Sequence, residues 1–186
     1  MRVTYYVAAS LDGFIAGADG DVSWLDALGI PMDESGYEEF FATVDALVMG
    51  RATYEMIEGF GQWPYGDKPT WVCASAAVSA LETCRLLAER QPRAVCSAAR
   101  GAGIDHLWLV GGGRLASAFL EQGLLTHLEL SLMPIVLGGG IPLFAETPAR
   151  SRLNLEAQRA HPSGVLQLSY SLQRSTPEDG AGDGDV

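Results

Sequence analysis

Short hydrophobic runs alternate along the chain with segments of helical spacing, which is the pattern of an α/β domain. The runs are rich in β-branched and aromatic side chains, so they predict strands. Between them, apolar residues recur every three or four positions, which predicts helices. The predicted strands cover residues 2–9, 46–49, 70–73, 84–87, 107–110, 126–133, 152–160 and 165–172, and the predicted helices cover residues 37–44, 54–57, 92–102 and 115–122.

The end of the chain differs in pattern from the rest. The last two predicted strands alternate polar and apolar residues and are joined through a Pro-Ser-Gly turn, as expected for an antiparallel hairpin at the edge of a sheet. Residues 174–186 contain almost no apolar side chains, so we expect a disordered acidic tail. The segment before it, residues 1–173, has no linker that would divide it and is expected to form one domain.

Two of the predicted strands end in glycine and lead directly into a predicted helix. Glycine lets the backbone approach a bulky anion closely, and a helix start presents unpaired N–H groups and a partial positive charge. An arginine at each junction could add a charge-assisted contact to a phosphate. For the junction with three glycines, taken alone, the alternative is a tight turn after a core strand. The two segments are Gly50-Arg51-Ala52-Thr53 and Val110-Gly111-Gly112-Gly113-Arg114-Leu115.

Composition and charge narrow the classes of partner. The 186 residues are 48% hydrophobic, and the net charge of −11 argues against nucleic acid or an anionic membrane as partner. Local backbone amides and a few arginines can still bind a phosphate-bearing cofactor. There is no apolar run long enough to span a membrane and no signal-peptide pattern, and the three cysteines form no CxxC motif. We therefore expect a cytoplasmic protein with reduced thiols and without a metal site.

The order of four motifs resembles the dihydrofolate reductase fold, and within it the reductase domain of bacterial riboflavin biosynthesis. The resemblance covers residues 1–173. It rests on the two glycine junctions and on two further segments, Ser10-Leu11-Asp12-Gly13 after the first strand and a glycine-rich segment at residues 134–144. It implies a three-layer α/β fold with a mixed central sheet flanked by helices. It also implies an NADPH site and hydride transfer to a carbon–nitrogen or carbonyl-type double bond.

The same resemblance implies roles for individual residues. Ala9 and Ile15 would flank the nicotinamide. Gly50, Arg51, Ala52 and Thr53 would hold phosphates from one side, and Val110, Gly111, Gly112, Gly113, Arg114 and Leu115 would hold the pyrophosphate from the other. Ser75 and Arg51 would lie near the adenosine ribose, where an arginine favours a 2′-phosphate and hence NADPH over NADH.

The substrate side of the site is less determined. Asp12 follows the first strand beside the expected nicotinamide position, and its alternative role is to cap the turn before Gly13. Trp24, together with Trp63 and Tyr65, could form an apolar wall around a flat substrate, or all three could be ordinary core residues. In dihydrofolate reductases an acidic residue on the first helix anchors the pterin, and here the sequence does not choose among Asp33, Glu34, Glu38 and Glu39.

Two departures from the riboflavin-pathway reductases bear on function. Their Ser-Leu-Asp-Gly segment is usually followed by lysine, but this chain has Phe14, so a phosphorylated ribityl substrate is in doubt. The zinc-deaminase motifs of the bifunctional enzymes are absent, so a stand-alone bacterial reductase domain is expected.

The sequence thus predicts an NADPH-dependent reductase of a small pterin- or pyrimidine-like substrate. The alternative is a catalytically weak or inactive nucleotide-binding module of the same fold. Related domains commonly pair, so a homodimer is an expectation, with the apolar strand at residues 126–133 as the candidate contact.

Overall fold

The computed structural model describes residues 1–31, 34–74, 86–87, 91–148 and 150–173. Ser75, Asp33 and the predicted tail at 174–186 lie outside the described residues. The described chain forms strands β1 (Arg2–Ser10), β2 (Phe14–Ala16), β3 (Ala46–Gly50), β4 (Thr70–Cys73), β5 (Leu86–Leu87), β6 (His106–Gly111), β7 (His127–Met133), β8 (Ile141–Pro142), β9 (Leu153–Ala160) and β10 (Leu166–Leu172). It also forms helices α1 (Ser23–Ala27), α2 (Tyr37–Ala42), α3 (Arg51–Glu58), α4 (Pro92–Gly101) and α5 (Gly113–Glu121).

Eight of these strands form one mixed sheet in the order β5-β4-β3-β6-β1-β7-β10-β9. The first six strands in that order are parallel to one another, and β10 pairs antiparallel with both β7 and β9. The predicted mixed sheet and closing antiparallel hairpin are therefore confirmed. Because β3, β6 and β1 are central and parallel, their carboxyl ends meet at one edge of the sheet.

Helices cover both faces of the sheet, and alternate residues of each strand pack against one or the other. On one face, Val3, Val48 and Leu109 pack with buried side chains of α4 and α5, among them Val95 and Phe119. We call the opposite face the α2–α3 face. There Leu47, Met49 and Trp108 pack with Tyr54 and Ile57 of α3 and against aromatic residues of α2. This alternation gives the three layers expected from the sequence.

Two short strands outside the main sheet form a small sheet of their own. β2 and β8 pair antiparallel, with Phe14 opposite Pro142. A Cβ atom built on Gly140 would lie 2.1 Å from the carbonyl oxygen of Ala16, so the backbones of the two segments touch. Strands of two or three residues carry no alternating pattern, which is why the sequence did not predict them. The short helix α1, of five residues, was likewise not predicted.

The strand proposed as a dimer contact lies inside the sheet. β7 pairs with β1 on one side and with β10 on the other, so it has no open edge. The edge strand on that side is β9, all eight of whose residues are exposed. Leu153 and Leu155 of β9 are 42% and 51% exposed. A second copy of the chain that extended the sheet on this side would have to pair through β9, not β7.

Candidate functional site

The two glycine junctions lie side by side at the carboxyl edge of the sheet. β3 and β6 are parallel neighbours, with Met49 opposite Gly111. A Cβ atom added to Gly50 would lie 3.9 Å from the carbonyl oxygen of Gly111. Two segments separated by about sixty residues in the sequence therefore share one edge of the fold. A ligand with more than one phosphate could contact both.

Each junction delivers a helix start to that edge. Gly50 is the N-cap of α3 and Gly112 is the N-cap of α5, so neither cap has a side chain that could accept from the first-turn N–H groups. Thr53 stands between them, because a Cβ atom on Gly112 would lie 3.6 Å from its Oγ1 atom. Two positive helix ends and a hydroxyl group thus face the same region, a donor set that suits an anion.

The two arginines of the junctions are both exposed, as is Ala52. Arg51 makes a hydrogen-bonded ion pair through Nε with Glu55 one turn later, at 2.6 Å. Arg114 follows the first residue of α5. Exposed ion pairs contribute little to stability. Arg51 could therefore exchange Glu55 for a phosphate group with only a small loss in the free energy of unfolding.

Several residues predicted to bind the cofactor also contribute to the core. A Cβ atom on Gly113 would lie 2.2 Å from the carbonyl oxygen of Pro142, so only a glycine fits where the 134–144 segment approaches the start of α5. Leu115 and Val110 pack against the cores of the two faces, and Ile15 lies in β2. Ala9 is completely buried, whereas its neighbour Ala8 is partly exposed. Their contacts with a cofactor stay predictions.

Asp12 connects the turn after β1 to the glycine-rich loop. Its Oδ1 atom accepts from the N–H of Leu137 at 3.0 Å, and its Oδ2 atom accepts from the N–H of Gly138 at 2.7 Å. Hydrogen bonding from Ser10, followed by these backbone donors, lowers the pKa of the Asp12 carboxyl. The structure thus gives Asp12 a loop-holding role, and its predicted catalytic role is untested.

Asp12→Asn separates these two roles. Asparagine would point an N–H₂ group at one of the two backbone donors, so a loop-holding Asp12 predicts a lower Tm at neutral pH. The difference in Tm should shrink in acid, because a carboxyl with a lowered pKa stabilises the fold above its unfolded-state pKa and loses that effect as pH falls. A thermal melt across pH checks this. An unchanged Tm with reduced turnover would instead support a catalytic carboxylate.

A cavity of about 320 Å³ opens on the α2–α3 face, between α2 and strands β1, β7 and β10. Ser131 lines the end of the cavity that is nearest the glycine junctions, because it pairs with Ala8 close to the carboxyl end of β1. Tyr6 and Phe40 stack on each other with ring centroids 4.3 Å apart. The other lining residues are Arg2, Ser35, Gly36, Glu39, Thr43, His106, Glu129, Leu130, Gln167, Leu168 and Ser169. We call this the α2 cavity.

The structure separates the carboxylates that the sequence left equivalent. Glu39 lines the α2 cavity and Glu38, on the same helix, does not, although both side chains are exposed. Glu34 lies near His161, with Oε2 4.0 Å from Nδ1. Glu129, which was not among the candidate residues, lines the cavity from β7. The signal was present, because polar residues alternate along the predicted strand 126–133, but such positions more often face solvent.

The structure gives core positions to two of the three residues that were predicted as an apolar wall around the substrate. Trp63 and Tyr65 pack in the core of the α2–α3 face, with Tyr65 5.2 Å from the ring of Trp108, so they act as core residues. Trp24 is 8% exposed, and its buried indole nitrogen has no hydrogen-bond partner within the described part of the chain. A role for Trp24 beside a substrate stays a prediction.

Neither metal chemistry nor a membrane span is indicated by what the structure describes. Its His, Cys, Asp and Glu residues include no group of three or more that could hold a metal ion. None of its helices has the length and apolar character needed to cross a bilayer.

Comparisons with known proteins agree with this architecture. YwjB of Bacillus subtilis (strain 168) is 32% identical over 170 residues, which cover 91% of this chain and 97% of YwjB. YyaP of the same organism is 29% identical over 185 residues, and both relatives are uncharacterized. A crystal structure from Shewanella sp. PV-4, of a protein named for riboflavin biosynthesis, superposes with a TM-score of 0.82 at 28% identity, covering 94% of this chain and all of that one.

A bifunctional deaminase/reductase from Thermotoga maritima shares the fold. It superposes with a TM-score of 0.69 at 13% identity, and the match covers 92% of this chain and 56% of the bifunctional enzyme. The model of the RibD C-terminal domain family matches residues 1–166, which include both glycine junctions and every residue that lines the α2 cavity except Gln167, Leu168 and Ser169. The chain is therefore a member of the RibD C-terminal domain family, a reductase-like family.

Proposed function

We propose that this protein is an NADPH-dependent reductase that transfers a hydride to a pyrimidine- or pterin-like ring. The observation that carries the proposal is the adjacency of Gly50 and Gly111 at one edge of the sheet, where two helix N-termini also converge. An elongated ligand with several phosphates suits that edge better than a single anion, because it can use both helix ends. Membership in a reductase-like family points the same way.

Each part of the chain has a distinct task in this proposal. Gly50 and Gly112 admit the phosphates to the first-turn N–H groups of α3 and α5. Arg51 and Arg114, both exposed at these helix starts, are the cations available for the 2′-phosphate that distinguishes NADPH from NADH. When bound, the nicotinamide supplies the hydride, and the protein supplies position and electrostatics. The partly exposed Ala8 leaves room for a flat ring at the end of β1.

The α2 cavity is the proposed substrate site. It lies on the face of the sheet reached by Tyr6 and Ser131, and Ser131 is in register with Ala8 at the end of β1. Its volume falls at the lower end of the range of small-molecule sites, which fits a one- or two-ring heterocycle. The stacked rings of Tyr6 and Phe40 provide an aromatic wall.

Titration with NADPH and with NADH, followed by nicotinamide fluorescence, tests the proposal. We expect both to bind and NADPH to bind about tenfold more tightly, because a charge-assisted contact to the 2′-phosphate is typically worth about 1.5–3 kcal/mol and is partly screened here. Failure of both to bind would exclude the reductase. Tight NADPH binding without turnover on any pyrimidine or pterin would favour the nucleotide-binding module instead.

A further inference from the structure

Both helix starts at the carboxyl edge of the sheet carry an arginine and no acidic residue. α3 begins at Arg51, and α5 begins at Gly113 with Arg114 next, and neither helix has an acidic residue in its first turn. A cation at the positive end of a helix opposes the helix dipole, so helix stability does not explain this placement. A bound anion at the same end would reverse the balance. The two arginines therefore fit the binding of a negatively charged ligand better than the formation of the helices.

The two arginines differ in what holds their side chains. Arg51 Nε donates to Oε1 of Glu55 at 2.6 Å, and the two side chains are 47% and 50% exposed. Arg114 forms no ion pair in the part of the chain that the structure describes. Arg51 is thus the arginine whose availability to a ligand depends on another side chain.

The ion pair draws the guanidinium group of Arg51 away from the start of α3. Side chains on a helix lean toward its N-terminus, so a long side chain on the first residue can extend past Gly50 toward the proposed phosphates. Glu55 lies four residues later, about 6 Å along the helix in the opposite direction. The Nε atom is also one of the two donors on the edge of a guanidinium group that pairs side-on with a phosphate. Glu55 and a phosphate therefore compete for the same donor.

We propose that Glu55 limits how strongly the cofactor site prefers a coenzyme with a 2′-phosphate, because it holds Arg51 away from that phosphate until the phosphate displaces it. Glu55 is a positioning residue that acts through Arg51 and does not itself contact the ligand. The exchange has a small cost, since both side chains are about half exposed and the Glu55 carboxylate is hydrated when Arg51 leaves. This role rests on the proposed function, because it concerns the regulation of the same cofactor site.

Fluorescence titration of full-length Glu55→Gln with NADPH and with NADH tests the proposal. We expect the variant to bind NADPH about two- to fivefold more tightly than the wild-type protein does, which corresponds to the strength of an exposed ion pair. NADH lacks the 2′-phosphate, so its affinity should not change. Glu58→Gln is the matched control, because it removes the same charge from α3 at a residue that forms no ion pair with Arg51. It should change neither affinity.

A double-mutant cycle separates the release of Arg51 from a general repulsion between Glu55 and the phosphate. Arg51→Gln should weaken NADPH binding, and Glu55→Gln added to that variant should give no further gain, because there is no arginine left to release. An equal gain with and without Arg51 would overturn the proposal. So would unchanged or weaker NADPH binding by Glu55→Gln, or an equal gain for NADH.

Nucleotides without a nicotinamide ring keep this proposal distinct from the reductase. Adenosine 2′,5′-bisphosphate carries the 2′-phosphate, adenosine 5′-monophosphate lacks it, and calorimetry measures the binding of both. A protein that binds neither NADPH nor NADH, but whose affinity for the bisphosphate alone rises in Glu55→Gln, would retain the role of Glu55 and reject the reductase. NADPH binding that does not respond to Glu55→Gln would retain the cofactor site and reject the role of Glu55. Absence of binding by all four nucleotides would reject both.

Discussion

Gly112→Val is expected to weaken NADPH binding by about 100-fold or more and to leave the protein folded. Gly112 has φ −101°, a conformation open to any L-residue, and it is only partly buried. A Cβ atom there would meet Thr53 Oγ1 at 3.6 Å, an ordinary contact. The larger valine side chain would nevertheless stand between the starts of α3 and α5, where the proposed phosphates bind.

The measurement is a nicotinamide fluorescence titration paired with a thermal melt of each variant. Gly139→Val is a suitable control, because Gly139 also lies in a glycine-rich segment but a Cβ atom there would have no neighbour within 4 Å. Unaltered NADPH affinity in Gly112→Val would mean that the phosphates bind elsewhere. A large loss of Tm in Gly112→Val would mean that the junction is a structural turn, the alternative that the sequence left open.

Gly140→Ala should destabilise the fold by about 3 kcal/mol, lowering Tm by about 6–12 °C for a chain of this size. Its Cβ atom would lie 2.1 Å from the carbonyl oxygen of Ala16 and 3.1 Å from the carbon of that carbonyl, both backbone atoms. The residue also has φ +145°, which L side chains rarely adopt. To relieve the clash between the new methyl group and Ala16, the 134–144 segment would have to move away from β2. Asp12 opposes that movement, because its carboxylate accepts hydrogen bonds from the N–H groups of Leu137 and Gly138 in the same segment.

The neighbouring glycine provides the matched control for this change. Gly139→Ala adds the same methyl group one residue earlier, into open space, and should change Tm by less than about 2 °C. Thermal melts of the two variants at equal concentration make the comparison. Similar Tm values would show that the close contact between Gly140 and Ala16 does not contribute to the stability of the fold.

Local pattern was sufficient for most of the fold. The predicted strand at residues 46–49 became β3 (Ala46–Gly50), and the predicted helix at 92–102 became α4 (Pro92–Gly101). These segments are long enough for period and composition to identify them. β2 and β8 have only three and two residues, and they pair where the backbones of Gly140 and Ala16 touch. No local pattern reports such a contact.

For the candidate site, the sequence determined the residue types, but their proximity depended on tertiary structure. The sequence by itself determined that two strands end in glycine before a helix. It could not show that Gly50 and Gly111 meet, because that depends on the neighbouring positions of β3 and β6 in the sheet. Strand order is a property of the whole chain and is not encoded in either segment.

The choice among the acidic residues was likewise made by tertiary structure. Glu38 and Glu39 are adjacent in sequence and chemically identical, and only the position of α2 over β1, β7 and β10 turns one of them toward the α2 cavity. Gly113 is a second example, since its lack of a side chain is explained by Pro142, a residue far from it in sequence. Sequence determines which groups are available, but packing between distant segments decides which of them share a cavity.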